Sequence, residues 1–275
     1  MARDGLFVLA YAKLNLTLRV VGRRRDGYHL LDSLMCAVDL ADEIRLEETP
    51  KIELVSRGCP FPAEENLALR AAQLLSRRTG SGRGARIHLT KRIPIGAGLG
   101  GGSSDAAAVL AGLNELWGLG LKREELAELG AELGADVPFF LGASPARARG
   151  IGEVLEPAAV QVPGAFLIVV PPFGCPTPEV YRLYDELGGE GGRDAPFPND
   201  LWPAARRLCP DLEGLRRALE GLGGMGTGLT GSGSGLFVAF PDEAAARRAA
   251  RALAGKTSAR LFVARPVPRG YKFVR

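Results

Sequence analysis

The chain has 275 residues, a formal net charge of +4 and a hydrophobic content of 46%, enough for one large or two ordinary domains with an ample core. No dense basic run occurs beyond residues 23–25, which favours a small anionic substrate over a nucleic-acid partner. The four cysteines lack the spacing of a zinc site or a disulfide framework, as is typical of the cytoplasm, and the apolar run at residues 6–10 is too short for a signal peptide or a membrane span.

The first half of the chain is predicted to alternate between strands and helices. Residues 14–20 alternate Leu and Val with polar residues, which predicts a half-buried strand, and residues 52–55 and 85–91 predict two more. Asn66 is the expected N-cap of a helix that ends near Gly80. Helices are then expected over residues 105–116 and 123–133, followed by a turn over residues 135–142.

The composition shifts to Ala, Pro, Arg and Gly over residues 143–164, which predicts a junction between a domain at residues 1–150 and another at residues 151–275. After it, we expect strands over residues 166–170, 236–240, 261–264 and 271–274. Helices are expected over residues 178–187, 211–222 and 243–254, the last capped by Asp242. Strands and helices in both halves predict two mixed α/β domains with a cleft between them.

The most informative stretch is PIGAGLGGGSSDAAA at residues 94–108. Its glycines allow the backbone to direct N–H groups toward one point, and the start of the following helix adds unpaired N–H groups and roughly half a positive charge. The stretch therefore predicts a phosphate site. Its candidate residues, called the glycine segment below, are Pro94, Gly96, Gly98, Leu99, Gly100, Gly101, Gly102, Ser103 and Ser104.

Two familiar phosphate motifs do not account for the glycine segment. A P-loop requires a Lys after the glycines, and only serines follow here. A dinucleotide-binding fold requires a strand running directly into the loop, which Pro94 interrupts, and no strand pattern with an acidic end follows. The alternative of a flexible Gly-Ser linker is disfavoured because helix-forming Ala and Leu follow at once.

Other chemistry-bearing residues lie outside the glycine segment. Lys13 and Asn15 are two residues apart on the first strand and so share its polar face; a solvated surface is the alternative. Asp136 precedes an apolar run, where a carboxylate needs a charged partner unless it only forms an Asx turn. Lys13 would be such a partner, although the sequence alone leaves open whether the two meet. The second glycine segment, residues 223–235, predicts close approach to a ligand or, alternatively, a disordered hinge.

Three stretches resemble the motifs of the GHMP kinases, which phosphorylate galactose, homoserine, mevalonate and phosphomevalonate: AKLNL at residues 12–16, residues 94–108, and LTGSGSGLF at residues 229–237. Together with DGYH at residues 26–29 and GADVPFF at residues 134–140, they resemble the 4-diphosphocytidyl-2-C-methyl-D-erythritol kinase family in particular. Tyr11 departs from the family, which often has Pro there. The resemblance implies an α+β fold of two domains: an N-terminal domain like domain 2 of ribosomal protein S5 and a ferredoxin-like C-terminal domain, with the active site in the cleft between them.

The resemblance also implies a reaction and a set of roles. ATP, with Mg²⁺, would phosphorylate the 2-hydroxyl of the cytidyl diphosphate substrate in the non-mevalonate isoprenoid pathway. Lys13 and Asp136 would be the catalytic pair, the glycine segment would hold the ATP phosphates, and Ser104 or Ser103 would lie near Mg²⁺. Tyr28 and Tyr181 would stack on opposite faces of the cytosine while His29 bonds its polar edge. The implied substrate-binding set is Asn15, Tyr28, His29, Thr177, Tyr181, Thr230, Gly231 and Ser232.

Three alternatives stay open from the sequence. Another GHMP kinase, acting on homoserine or a mevalonate derivative, is disfavoured by the DGYH stretch. A non-catalytic nucleotide-binding relative would be expected to lack Lys13 or Asp136. An RNA- or DNA-binding protein predicts clustered basic residues and binding that weakens steeply with salt. We therefore expect a cytoplasmic enzyme with no nucleic-acid or membrane partner, either a monomer or a weak homodimer.

Overall fold

Two long antiparallel strands form the centre of the larger of two sheets: β1 (Leu6–Arg23) and β2 (His29–Thr49). The computed structural model describes residues 5–189, 191 and 196–274. The β1–β2 register pairs Leu14 with Cys36 and shifts between Asn15 and Thr17, among other places. Such irregularities bend a strand and redirect its side chains.

Five further strands complete this sheet: β3 (Glu53–Arg57), β4 (Gly84–Thr90), β5 (Ala146–Gly150), β6 (Val154–Pro157) and β11 (Tyr271–Val274). The main strand order is β11-β1-β2-β4-β3, and β5 joins β2 and β6. Only the β3–β4 pair among these strands is parallel.

Helices α1 (Leu67–Thr79) and α2 (Gly101–Trp117) pack against the larger sheet, and α3 (Arg123–Leu133) and α4 (Val137–Leu141) pack against α2. A 3₁₀ turn (Ala63–Glu65) precedes α1. As expected, the Asn66 side chain accepts a hydrogen bond from the Ala68 N–H, and α1 ends at Gly80, which has a φ of +60°.

The smaller sheet is antiparallel with the order β10-β7-β9-β8. Its strands are β7 (Ala165–Val170), β8 (Gly226–Leu229), β9 (Leu236–Phe240) and β10 (Arg260–Ala264). Its helices are α5 (Thr177–Glu186), α6 (Trp202–Leu208), α7 (Asp211–Glu220) and α8 (Glu243–Leu253).

The two sheets share a buried apolar core. Leu14 and Leu16 of β1 pack there with Phe166 and Ile168 of β7 and Phe237 of β9. The opposite face of β1 is covered as well, so the middle of this strand is buried on both sides. The sequence predicted a half-buried strand over residues 14–20, and its leucine face is buried as expected. Asn15 on the polar face is buried as well, because Thr230 and Gly231 cover it, whereas Thr17 and Arg19 keep partial exposure.

Several elements differ from their predicted bounds. The first strand is longer than residues 14–20, and β2, β5, β6 and β8 were not predicted. α2 begins at Gly101 rather than residue 105, and residues 137–141 form a helical turn. The division at residue 150 stays a prediction; β6 and β11, which follow it, both pair within the larger sheet. No helix in the described part of the chain is long and apolar enough to cross a membrane.

Candidate active site

Lys13 and Asp136 meet. The Lys13 backbone N–H donates to the Leu99 carbonyl at 3.0 Å, which fixes the middle of β1 beneath the glycine segment. The Lys13 side chain is 5% exposed, and its Nζ lies 3.7 Å from Oδ2 of Asp136, whose side chain is 36% exposed. The same Nζ donates to Oδ1 of Asn15. A desolvated ammonium therefore faces a carboxylate that still reaches solvent.

Asn15 connects β1 to the second glycine segment. Its Oδ1 accepts a hydrogen bond from the Gly231 N–H at 3.0 Å, and its Nδ2 donates to Oγ of Ser33 at 2.8 Å. Its backbone N–H donates to Oγ1 of Thr230 at 3.2 Å, and that hydroxyl donates to the Gly98 carbonyl at 3.0 Å. The second glycine segment is thus fixed against both β1 and the glycine segment, contrary to the alternative of a disordered hinge.

Gly98 is where the two glycine segments approach most closely. Its φ is +72°, and a Cβ at this position would lie 2.1 Å from the Thr230 carbonyl oxygen. Both facts require glycine. The close approach also explains why Thr230 and Gly231 enter the site from the other domain.

Asn199 is a site residue that the sequence reasoning missed. It is buried, and its Nδ2 donates to the carbonyls of Leu229 at 2.9 Å and Gly231 at 2.8 Å. The sequence signal that could have identified Asn199 was the scarcity of asparagine, since the chain has only four. The others, Asn15, Asn66 and Asn114, also hold backbone groups with their side chains.

The start of α2 corrects one assignment. Gly101, Gly102, Ser103 and Ser104 form its first turn rather than a loop. Ser104 is fully buried and its hydroxyl donates to the Tyr11 carbonyl at 2.6 Å, so it faces the core and not a metal ion. Ser103 is partly exposed and lines the cleft. Of the two serines considered for Mg²⁺, the geometry supports Ser103.

Two cavities meet at the glycine segment. A cleft of about 830 Å³ contains Lys13, Asp136 and the predicted substrate residues Tyr28 and Tyr181. On the other side, a cavity of about 370 Å³ is lined by residues 93–103 and by side chains that precede α1. Gly98, Gly100 and Ser103 line both. The site can therefore hold two ligands that meet at the start of α2.

The residues predicted to hold a base lie together at one end of the cleft. Tyr28 is 61% exposed at its mouth. The His29 ring is already stacked on Tyr181, with centroids 4.7 Å apart and planes 24° apart. In the same cleft, the hydroxyls of Thr177 and Ser232 are 2.8 Å apart. Burial first, and then the Asp136 carboxylate, raise the pKa of the Tyr181 hydroxyl above its usual range, so this group stays protonated.

A buried ionic cluster supports the glycine segment from behind and was not predicted. Lys91 donates to Asp42 and, at 2.6 Å, to Oδ2 of Asp105. Asp42 also accepts the Ile93 N–H at 2.9 Å. Burial, and then the nearby Asp42 carboxylate, hold the pKa of Asp105 well above its usual value, and its Oδ1 has no partner. Charged residues inside strands, such as Asp42 in β2, are the sequence signal for such a cluster.

Family models and known proteins match this arrangement. The model of the GHMP kinases N terminal domain matches residues 66–143, and that of the GHMP kinases C terminal matches residues 195–258. The 4-diphosphocytidyl-2-C-methyl-D-erythritol kinase of Symbiobacterium thermophilum is 51% identical over 187 residues, 66% of each chain. The protein of that name from Verminephrobacter eiseniae is 42% identical over 226 residues, covering 74% of this chain and 75% of the relative. The chain belongs to the 4-diphosphocytidyl-2-C-methyl-D-erythritol kinase family of the GHMP kinases.

A solved structure agrees with this family. The crystal structure of a 4-(cytidine 5'-diphospho)-2C-methyl-D-erythritol kinase superimposes with a TM-score of 0.79 and 41% identity, covering 94% of this chain and 99% of the other. In sequence, the match with the Symbiobacterium relative spans 66% of that relative's length. The expected family and the two-domain α+β GHMP kinase fold are confirmed.

Proposed function

We propose that this protein transfers the γ-phosphoryl group of ATP to the 2-hydroxyl of 4-diphosphocytidyl-2-C-methyl-D-erythritol. The observation that carries the proposal is the Lys13–Asp136 pair, 3.7 Å apart, beside the start of α2 and within the 830 Å³ cleft. The names of the relatives support this acceptor. Phosphoryl transfer depends mainly on positioning and charge, so one well-placed pair suffices.

The start of α2 suits the ATP phosphates. The first N–H groups of a helix have no carbonyl to bond within it, and they carry partial positive charge. Here they belong to Gly101, Gly102 and Ser103, which line the smaller cavity. That cavity also has apolar walls, including Phe61 and Ile93, which suit a nucleoside. Nucleotide bound there would direct its phosphates toward Ser103, where the two cavities meet.

Asp136 then acts on the acceptor hydroxyl. Its partly exposed carboxylate orients the hydroxyl and accepts its proton as the oxygen attacks phosphorus. Lys13 lies beside it, with its Nζ facing both Asp136 and Oδ1 of Asn15. Its ammonium offsets the negative charge of the phosphoryl group. Burial of Lys13 strengthens this effect because water does not screen it there.

Mg²⁺ belongs to the same proposal. In such sites the ion keeps several waters and binds phosphates plus one or two protein oxygens. In the described ranges, no group of three or more His, Cys, Asp or Glu side chains is placed to hold a metal. The Ser103 hydroxyl and the Asp136 carboxylate line the cleft where it meets the glycine segment, and these oxygen donors fit the ion. When bound, Mg²⁺ would neutralise charge on the phosphoryl group.

The far end of the cleft suits the cytidyl group. Tyr28 has an exposed ring available for stacking, and Tyr181, which stacks with His29 in the same cleft, would take the opposite face of the base. Stacking a base on an aromatic ring contributes roughly 1–3 kcal/mol. The paired hydroxyls of Thr177 and Ser232 also line this cleft, where they would hydrogen-bond the diphosphate.

ADP release with four acceptors tests the proposal: 4-diphosphocytidyl-2-C-methyl-D-erythritol, mevalonate, homoserine and galactose, each with ATP and Mg²⁺. We expect turnover with the first alone. Turnover with homoserine or mevalonate would indicate another GHMP activity and contradict the proposal. As a control, Asp32→Asn changes a carboxylate of β2 whose ion pair with Arg147 lies outside the cleft, and it should retain turnover.

A further inference from the structure

His29 is held by three neighbours from the second domain. Its Nε2 lies 2.7 Å from Oδ1 of Asp185, and its ring stacks on Tyr181. Tyr184 meets the ring edge-on, with centroids 5.9 Å apart. The His29 side chain is 9% exposed. Its ring therefore has a fixed position at the base end of the cleft, although it belongs to β2 of the larger sheet.

Asp185 has no assigned part in the reaction, yet its carboxylate determines which nitrogen of His29 carries the proton. An ionised carboxylate only accepts hydrogen bonds, so Nε2 must be the donor. In a neutral imidazole the other nitrogen, Nδ1, is then an acceptor. Nδ1 of His29 has no hydrogen-bond partner among the described residues. It is also not fully buried, because the fully buried atoms without a partner do not include it. An acceptor is thus presented to the cleft.

Arg23 fixes the other side of the carboxylate. Its NH1 lies 3.1 Å from Oδ2 of Asp185. Asp185 therefore accepts from His29 with one oxygen and from Arg23 with the other. This bridge joins β1 and β2 to α5 at the base end of the cleft.

We propose that Asp185 is a positioning residue for base selection: it holds His29 as the Nε2–H tautomer, so that Nδ1 accepts the 4-amino group of cytosine and disfavours uracil. The inference rests on the proposed cytidyl substrate. Cytosine presents a donor at its 4-position, where uracil presents a carbonyl acceptor. An acceptor at Nδ1 hydrogen-bonds the 4-amino group of cytosine and repels the 4-carbonyl oxygen of uracil. One tautomer thus distinguishes the two bases without a further side chain.

Asp185→Asn tests this role because Arg23 dictates how the new amide is oriented. The guanidinium donates, so it binds the amide oxygen and leaves the amide NH₂ facing Nε2 of His29. Nε2 must then accept, and the proton moves to Nδ1. The variant is therefore expected to lose the preference for cytosine. Asp32→Asn is the matched control, since it removes the charge of a different carboxylate, on β2, that pairs with an arginine outside the cleft.

Two measurements are needed. The first is calorimetric binding of CDP and UDP to the wild-type protein and both variants. We expect the wild type and Asp32→Asn to prefer CDP, and Asp185→Asn to lower the ratio of the two affinities by at least about tenfold. The second is the ¹⁵N spectrum of histidine-labelled protein, which is simple because the chain has only two histidines. His88→Gln assigns the signal of His29, which should change from Nε2–H to Nδ1–H in Asp185→Asn.

Each result decides one claim. If Asp185→Asn keeps the wild-type ratio of CDP to UDP affinity, or if wild-type His29 is the Nδ1–H tautomer, the role of Asp185 is overturned while turnover of the cytidyl substrate still supports the proposed function. If the wild type neither prefers CDP nor phosphorylates that substrate, the proposed function itself fails. Should Asp185→Asn not fold, the wild-type tautomer decides alone.

Discussion

Gly98→Ala tests whether the two glycine segments must touch for turnover. The new Cβ would lie 2.1 Å from the Thr230 carbonyl oxygen, whereas real Cβ contacts are no closer than 3.0 Å. The two backbones must therefore separate by about 1 Å, which also stretches the hydrogen bond from Thr230 Oγ1 to the Gly98 carbonyl. A displacement of that size at a reacting centre can lower the rate about 100-fold.

Gly120→Ala is the matched control. Its φ is +70°, close to the +72° of Gly98, but nothing lies within 4 Å of its added Cβ. Backbone strain of about 1 kcal/mol is therefore common to both variants, and only Gly98→Ala adds the steric overlap. Urea unfolding would measure the strain and steady-state ADP release the turnover. If both variants lose activity equally, the contact between the segments is irrelevant to catalysis and the reasoning is refuted.

The remaining predictions concern ionisable side chains. Asp136→Asn should keep nucleotide binding but lose at least about 100-fold in kcat, and Lys13→Met should do likewise; near-normal kcat in either would remove that residue from the mechanism. Asp42→Asn should lower the free energy of unfolding by about 3 kcal/mol, while Asp105→Asn, whose carboxyl has a raised pKa, should change it by less than about 1 kcal/mol; denaturant titration would expose the reverse order. Burial raises the pKa of Cys36 to about 11, so the unfolded chain loses this proton first and stability falls by up to about 3 kcal/mol as the pH rises from about 9 to 11. The free energy of unfolding of Cys36→Ala should fall less than that of the wild type over the same pH range. An equal fall in the two proteins would contradict this prediction.

The sequence predicted elements better than it predicted their partners. Residues 271–274 were expected as a strand, and they form one, but in the larger sheet beside β1. β2 was missed although it is the longest of the strands that the structure describes. Its Asp39 pairs with Arg265, and its Asp42 lies in a buried cluster, so charged residues interrupt the apolar alternation that identifies strands. Ion pairs formed with distant residues cannot be read from a local pattern.

The same limit applies to the site. Lys13 and Asp136 were both singled out, yet their meeting depends on where α4, which packs against α2 and α3, places Asp136 relative to β1. The family resemblance supplied the pairing, and the residues alone left it open. His29 was expected to face a base directly, and its anchoring by Asp185 was not foreseen. That contact joins residues of different domains, and the periodicity of helices and strands predicts only local structure.

The two glycine segments show why composition alone misplaces function. Read from the sequence, the glycines of the first segment served a phosphate, and those of the second allowed close approach to a ligand or formed a hinge. In the structure, Gly98 and Gly235 are needed because the segments lie against each other: a Cβ on Gly235 would come within 2.5 Å of the Ala97 carbonyl oxygen. Gly96 has open space around it, which is what a ligand requires. Glycine in this chain therefore serves two purposes, and the contact between domains comes first, because it places Thr230 and Gly231 over Lys13.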